Sequence, residues 1–216
     1  MWDLMDKIIS KIEIKDKKVL IEIDGEYHLF LYTRDLRKQK FKIIVVEGQA
    51  LSDEDYAVLL NHVISRGKRR IMYLLGKQDY PKSKLEEKLA KNGYIDIHIN
   101  EILKLFIDKG FVDDTKLVNR RVETFKGYKS KKEIEYKLRT GGFTSEDIKE
   151  AIHNQFSEED ELSSAIKLLN KRFMLKKIRL EENELKQKAL GYLSRKGYPI
   201  NICFKAFEVF ITKDEE

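Results

Sequence analysis

The sequence has one cysteine, two prolines and one tryptophan among its 216 residues. A single cysteine, Cys203, cannot form an internal disulfide, so the chain is not a small domain held together by disulfides. No apolar run reaches the roughly 18 to 20 residues that a membrane-spanning helix requires. The first residues also lack a basic start followed by an apolar core. These absences predict a cytoplasmic protein with no membrane partner.

The sequence also lacks the patterns that carry common enzyme chemistry. It has no P-loop, no nucleophile elbow and no cysteine pair. None of its four histidines belongs to a metal-site pattern, and they lie on different predicted elements: His28, His62, His98 and His153. The acidic pair Asp113 and Asp114 stands at a predicted helix start, where Asp is an ordinary cap. We therefore expect no catalysis, no metal and no cofactor.

Charge is abundant but evenly spread along the chain. Charged residues make up 37% and hydrophobic residues 42%, which indicates a folded helical protein with an ionic surface. The net charge is +6, and no segment forms a basic tail. This balance permits an anionic partner without requiring one.

The dominant pattern is a unit that occurs three times. When Gly93, Gly142 and Gly197 are superimposed, at spacings of 49 and 55 residues, apolar residues coincide on both sides of the glycine. A repeat of this period is typical of stacked helical units. Three unrelated helices that each end in glycine are the alternative, but agreement over six columns argues against it. The aligned columns are Leu85, Ile134 and Ala189; Leu89, Leu138 and Leu193; Tyr94, Phe143 and Tyr198; Ile99, Ile148 and Cys203; Ile102, Ala151 and Ala206; Leu103, Ile152 and Phe207.

The first fifth of the chain has a different, alternating pattern. Residues 19–23 and 27–31 alternate around Asp24-Gly25, which predicts a β-hairpin. Ile12 and Ile14 before it and residues 43–46 after it are candidates for further strands, because a lone hairpin is marginal in water. A short helical turn is predicted over residues 36–40.

The predicted fold is mainly α, with three tandem three-helix repeats in an elongated curved array and a small N-terminal β unit. Ser52 is a suitable N-cap, and acidic residues precede basic ones along the helices, as the helix dipole favours. The predicted domains are residues 1–50 for the β unit, and 51–110, 111–156 and 157–212 for the repeats.

The middle copy carries a family signature. Its elements are Gly110-Phe111-Val112-Asp113-Asp114, Asn119-Arg120-Arg121, Lys126-Gly127-Tyr128-Lys129-Ser130, and then Ile134, Leu138 and Gly142. These motifs resemble the RecX family of recombination regulators, over roughly residues 50–210. In the first repeat, residues 77–84 depart from the arginine-containing run that many members carry. The resemblance implies a monomeric protein that lies in the groove of a RecA filament on DNA.

A basic cluster recurs in or just after the first helix of each repeat. In a stack of repeats, the three clusters are expected to face one side and to contact RecA or a phosphate backbone. Tyr128 and Phe173 are the residues expected to stack on bases. Solvated helix ends are the alternative for any single lysine. The candidate binding residues are Arg66, Arg69, Arg70, Arg120, Arg121, Lys126, Lys129, Lys131, Lys132, Lys171, Arg172, Lys176, Lys177 and Arg179.

Two functions remain open from the sequence. If the resemblance to the RecX family holds, the chain is a non-enzymatic regulator that binds RecA filaments and lowers recombinase, ATPase and co-protease activity. The same resemblance implies weak DNA binding, with single-stranded DNA expected. The alternative is a helical module that binds single- or double-stranded nucleic acid directly, without RecA.

Overall fold

The structure, a computed structural model, describes residues 7–37, 43–177 and 180–212. It divides into two compact units, Met1–Val112 and Asp113–Glu216. The elements of the first unit are β1 Lys7–Lys15, β2 Lys18–Ile23, β3 Tyr27–Tyr32, α1 Thr33–Arg37, β4 Ala50–Leu51, α2 Asp53–Leu75, α3 Lys82–Ala90 and α4 Asp96–Asp108. Those of the second unit are α5 Asp114–Lys126, α6 Lys131–Gly141, α7 Ser145–Gln155, α8 Glu158–Lys177, α9 Glu182–Arg195 and α10 Ile200–Thr212.

The β-strands form one antiparallel sheet in the order β3-β2-β1-β4. The predicted hairpin between β2 and β3 is confirmed, and Asp24 and Gly25 both have positive φ, of 53° and 73°. The prediction of a strand at residues 43–46 was wrong, because the fourth strand is the short pair Ala50–Leu51. The predicted helical turn begins earlier, at Thr33, and residues 38–40 lie outside the described residues.

The sheet and helices α2 to α4 share one hydrophobic core. Alternate residues of β2 and β3 point to the same side, and they are buried with the apolar stripe of α2. Gly67 lies in the middle of α2, where an added Cβ would stand 2.9 Å from Ile102 Cγ1 and 3.2 Å from Tyr94 Cε1. Only glycine therefore allows α4 to approach α2 this closely.

The predicted three-helix repeats are confirmed in detail at the aligned glycines. Gly93, Gly142 and Gly197 have φ of 100°, 97° and 86°, the left-handed conformation that ends a helix. The next residue in each copy donates its backbone N–H to the column leucine five residues earlier, at 3.3, 3.2 and 3.2 Å: Tyr94 to Leu89, Phe143 to Leu138 and Tyr198 to Leu193. Every residue of the six aligned columns is buried.

The second unit contains two separate core clusters, one in each repeat. Helices α5 to α7 surround Val118, Val122 and Leu138, and helices α8 to α10 surround Leu169, Leu193 and Phe207. The four-part domain division drawn from the sequence remains a prediction, as does the elongated curved array.

Candidate partner-binding surface

The residues of the segment Gly110–Asp114 each have a structural role in ending one helix and starting the next. Gly110 has a φ of 72°, and its N–H and that of Phe111 donate to Ile107 O and Phe106 O, both at 2.8 Å. This pattern is a Schellman motif, and it ends α4. Val112 then enters the core, and Asp113 caps α5 by accepting from Lys116 N at 2.9 Å. The family signature is thus a helix-to-helix junction that leaves the Phe111 ring 64% exposed.

The basic cluster of the first repeat consists of Arg66, Arg69 and Arg70, and these residues do not all face solvent. Arg66 points inward from α2, where its Nη2 donates to Asp35 Oδ2 and lies 2.7 Å from His62 Nε2. Its guanidinium also lies 4.5 Å from the centroid of the Tyr32 ring. Arg66 therefore belongs to the interior of the first unit, and it is not a surface contact. Arg69 and Arg70 are exposed, and their role as contacts remains a prediction.

Burial and hydrogen bonding have opposite effects on the pKa of Asp35. Burial alone would raise its pKa, but the backbone N–H of Tyr32 and the Arg66 side chain together lower it. The carboxylate is therefore ionised in the folded protein at neutral pH. Asp35 and Arg66 form an ion pair between α1 and α2, with side chains only 8% and 13% exposed.

The basic residues of the second repeat, Arg120, Arg121, Lys126, Lys129, Lys131 and Lys132, differ in how far their side chains are exposed. Lys126 and Lys129 form ion pairs with Glu123 and Glu133 of their own repeat, at 2.8 and 2.5 Å. Arg121 is half-buried, with its guanidinium 5.1 Å from the centroid of the Phe143 ring. The outward-facing members are Arg120, Lys131 and Lys132.

In the third cluster, Lys171 and Arg172 are exposed on α8, and Arg172 lies 4.9 Å from the centroid of the Tyr192 ring. The side chains of Lys176 and Lys177, and the whole of Arg179, lie outside the described residues. The expectation that Phe173 stacks on bases was wrong. It is 3% exposed because it packs in the core of the third repeat, edge-on to Tyr192 at 5.7 Å. Tyr128 is 46% exposed and remains a candidate.

The second and third repeats meet at a junction that the sequence did not predict. Ser130 is fully buried, accepts from Glu133 N at 3.1 Å as the cap of α6, and donates to Lys196 O at 2.7 Å. A Cβ on Gly197 would lie 3.2 Å from Lys132 Cβ. The start of α6 therefore lies directly against the end of α9.

This junction brings together two helix ends that carry basic residues from two repeats. Lys131 and Lys132 stand in the first turn of α6, where a positive charge is unfavourable to the helix dipole. Arg195 and Lys196 end α9 on the other side of the contact, and both are exposed. These two residues were not among the predicted contacts, because the basic clusters seen in the sequence lie in or just after the first helix of each repeat and these residues end the second helix. We call the group Lys131, Lys132, Arg195 and Lys196 the junction patch.

One carboxylate lies behind the junction patch. Glu161 is buried, and its Oε1 accepts the backbone N–H of Lys131 at 3.0 Å. Burial raises the pKa of Glu161 despite this hydrogen bond. The bond satisfies one N–H at the start of α6, but the carboxylate faces the backbone and leaves the side chain of Lys131 exposed.

A groove between α8 and α9 extends the basic surface from the junction patch. Its volume is about 350 Å³, and its walls include Arg172, Lys188, Tyr192 and Arg195. Lys188 forms an ion pair with Glu184 on the same helix. Arg195 belongs to both the groove and the junction patch, so the two are continuous within the second unit. Aromatic and guanidinium groups side by side suit anionic or planar partners.

The other chemically interesting residues lie in the interior. Cys203 is fully buried, and burial raises the pKa of its thiol. His98 is also buried, and burial lowers its pKa. Among the described residues, no three His, Cys, Asp or Glu side chains come together in a group able to hold a metal ion. No helix in the described ranges is both long and apolar enough to cross a membrane.

Comparison with known proteins finds a match for the third repeat and two relatives for most of the chain. Residues 158–207 match the model of the third three-helix domain of RecX. Regulatory protein RecX of Streptococcus pyogenes serotype M1 is 27% identical over 199 residues, which cover 90% of this chain and 74% of the relative. Regulatory protein RecX of Bacillus subtilis is 26% identical over 214 residues, covering 96% of this chain and 79% of the relative.

Solved structures show the same fold. A crystal structure of regulatory protein RecX has a TM-score of 0.60 and 24% identity, and it covers 97% of this chain and 100% of its own. RecX from Lactobacillus salivarius has a TM-score of 0.61 and 20% identity, over 68% of this chain and 96% of its own.

The fold and the exposed basic surface define a protein of tandem three-helix repeats with an N-terminal sheet. The two solved structures share this fold, and the relatives from Streptococcus pyogenes and Bacillus subtilis are named regulatory proteins. In sequence and in fold, the chain is similar to proteins of the RecX family.

Proposed function

We propose that the chain is a non-enzymatic regulator that binds RecA filaments on DNA, in the filament groove, and lowers their recombinase, ATPase and co-protease activity. The relatives named RecX regulatory proteins support this proposal. In this proposal the protein acts as a cytoplasmic monomer and needs no cofactor of its own. The action is mechanical, because a protein in the groove obstructs the incoming duplex and the movements of the RecA subunits.

The observation that carries the proposal is the junction patch. Two of its residues begin α6 and two end α9, and these two helix ends are packed against each other. Lys131 and Lys132 also lie where the helix dipole disfavours them, so dipole compensation does not account for their position. Charges arranged in this way guide association with an anionic assembly and set its orientation.

The first test is a titration of the DNA-dependent ATPase of RecA. The purified chain is expected to slow ATP hydrolysis at concentrations well below those needed to coat the DNA, because each bound copy obstructs several RecA subunits. ATP hydrolysis is followed on a fixed amount of single-stranded DNA while the chain is added. Inhibition that begins only when the DNA is saturated would contradict filament binding and would favour competition for DNA.

The second test removes charge from the proposed surface. Arg120→Ala, Lys132→Ala and Arg195→Ala, combined, are expected to raise the concentration for half-inhibition roughly tenfold, because each removes a cation facing the filament. Arg120 is chosen over Arg121 because the latter packs on Phe143.

The matched control for this variant is the combination of Lys137→Ala, Arg139→Ala and Lys149→Ala. These residues are exposed in the second repeat and lie outside the basic clusters, so the change in net charge is the same. Helical content is measured for both variants. Equal inhibition by the two variants would contradict a filament contact through Arg120, Lys132 and Arg195, and a loss of helix in the first would assign those residues to folding.

Direct nucleic-acid binding is the second candidate function. One observation favours it: the ring of Tyr128 is 46% exposed, so a base has an aromatic surface on which to stack. This reading predicts binding to single-stranded DNA without RecA, with affinity that falls steeply as salt increases. Salt-dependent binding by the Tyr128→Ala variant equal to that of the unmodified chain would remove this support.

A further inference from the structure

An apolar groove lies on the first unit, between the last turns of α2 and α4. Its volume is about 530 Å³, and its apolar walls are formed by Met72, Leu75, Leu105, Phe106 and Phe111. Such a volume lies within the usual range of ligand and side-chain pockets. We call it the α2–α4 groove. It is separate from the junction patch, which belongs to the second unit.

The groove has fixed walls. The Schellman motif at Gly110 fixes the backbone of Phe111, and the rings of Phe106 and Phe111 lie 6.4 Å apart, tilted by 59°. On the α2 side, Gly76 N donates to Met72 O at 2.9 Å and ends that helix. A groove whose backbone is already fixed can bind a partner with little loss of backbone conformational freedom in the protein.

The groove is apolar and open to solvent. Met72 is 63% exposed and Phe111 is 64% exposed, although large apolar side chains grouped together are usually buried. Such a group on a surface typically marks a site for a protein partner. A nucleic-acid backbone is not expected to bind in the apolar part of the groove, because its phosphates would lose water there without gaining hydrogen bonds.

Two lysines decide the chemistry of the occupant. Lys68 of α2 and Lys109, the residue that ends α4, both line the groove. In the described part of the chain, neither forms an ion pair with a carboxylate. An occupant with carboxylates on either side of a bulky apolar side chain therefore matches both the floor and the flanks.

We propose that the α2–α4 groove binds an acidic peptide segment of a partner protein, with one bulky apolar side chain inserted between Met72 and Phe111. The segment's Asp or Glu residues pair with Lys68 and Lys109. This site is additional to the proposed filament contact and does not depend on it.

The test uses fluorescein-labelled synthetic peptides and fluorescence anisotropy with the full chain. The probe is a short peptide with Phe and Leu at its centre and Asp and Glu on both sides. One comparison peptide replaces the acids with Lys, and another replaces Phe and Leu with Ser. The acidic apolar peptide is expected to bind at least roughly tenfold more tightly than either of them.

Variants of the chain test whether the peptide binds in the α2–α4 groove. Phe111→Ser alone, and Lys68→Glu combined with Lys109→Glu, are each expected to weaken binding roughly tenfold. The controls are Ile97→Ser and Lys104→Glu, two exposed positions on α4 that do not line the groove. Because Phe111 is largely exposed, its substitution is expected to leave the urea midpoint nearly unchanged, which separates a lost contact from a lost fold.

Each other outcome overturns the proposal. Absence of binding by the acidic peptide excludes the proposed occupant. Equal binding of the lysine peptide indicates a nonspecific apolar surface, and equal binding of the serine peptide indicates simple charge attraction. Displacement of the peptide by an oligonucleotide, with the same dependence on Phe111, assigns the groove to nucleic acid. Equal loss in the control variants places the binding elsewhere.

Discussion

Arg66→Ala is expected to lower the free energy of unfolding by about 3 to 5 kcal/mol, because it leaves the Asp35 carboxylate buried without its partner. The two side chains are only 13% and 8% exposed, so water does not replace the lost hydrogen bond. The substitution also removes a guanidinium that packs on the rings of Tyr32 and Phe30. The measurement is urea unfolding followed by circular dichroism.

The control for this prediction is Arg69→Ala on the same helix. Arg69 is exposed, so its replacement is expected to change stability by no more than about 0.5 kcal/mol. Replacing both partners, with Asp35→Leu and Arg66→Met together, is expected to recover much of the loss because no buried charge is left alone. A loss for Arg66→Ala no larger than that for Arg69→Ala would contradict the buried ion pair.

The effect of Arg66→Ala also depends on pH. The folded protein lowers the pKa of Asp35 below its ordinary value of 3.8, so the pair stabilises the fold fully above that value. As the pH falls through the lowered pKa, the carboxylate takes up a proton and the stabilisation is lost. The difference in stability between the unmodified chain and the Arg66→Ala variant is therefore expected to shrink below pH 3.8, in a series of urea titrations.

Leu138→Ala is expected to lower the free energy of unfolding by about 2 to 5 kcal/mol, because it opens a cavity in the core of the second repeat. Leu138 is fully buried among Ile134, Phe143 and Ile148. Its carbonyl also accepts the N–H of Phe143 at 3.2 Å, which places the side chain beside the turn that joins α6 to α7. The neighbouring side chains are therefore held by the turn and have little freedom to fill the space.

Tyr136→Ala provides the matched control on the same helix. Tyr136 is 66% exposed, so its loss removes little buried surface. Urea unfolding of both variants, followed by the helical signal at several protein concentrations, gives the comparison. If Leu138→Ala lowers the free energy of unfolding no more than Tyr136→Ala does, Leu138 is not the core residue that the repeat alignment predicts.

The repeat was predictable from the sequence because its determinants are local. A glycine with positive φ, a leucine four residues before it and an aromatic residue after it define the end of a helix through hydrogen bonds that span five residues. The glycines Gly93, Gly142 and Gly197 adopt this geometry in all three copies. Hydrophobic spacing likewise defined which face of each helix is buried.

The directions of the long charged side chains were not predictable in the same way. The sequence put Arg66 and Arg120 into equivalent basic clusters, although the first is buried beside Asp35 and the second is exposed. Asp35 lies 31 residues from Arg66, and no local pattern relates the two. Phe173 was expected on the surface because of its basic neighbours, but the ring packs against Tyr192 of the next helix.

By itself, the sequence determined the three helical repeats, the β-hairpin and the buried columns, because hydrogen bonds and apolar spacing within a few residues specify them. Tertiary structure alone decided that Ser130 contacts Lys196, that Lys132 lies against Gly197, and that α2 and α4 enclose an open apolar groove. These contacts depend on how helices distant in sequence pack against each other. The physical reason is that a long side chain has many directions open to it, and only its packed neighbours select one.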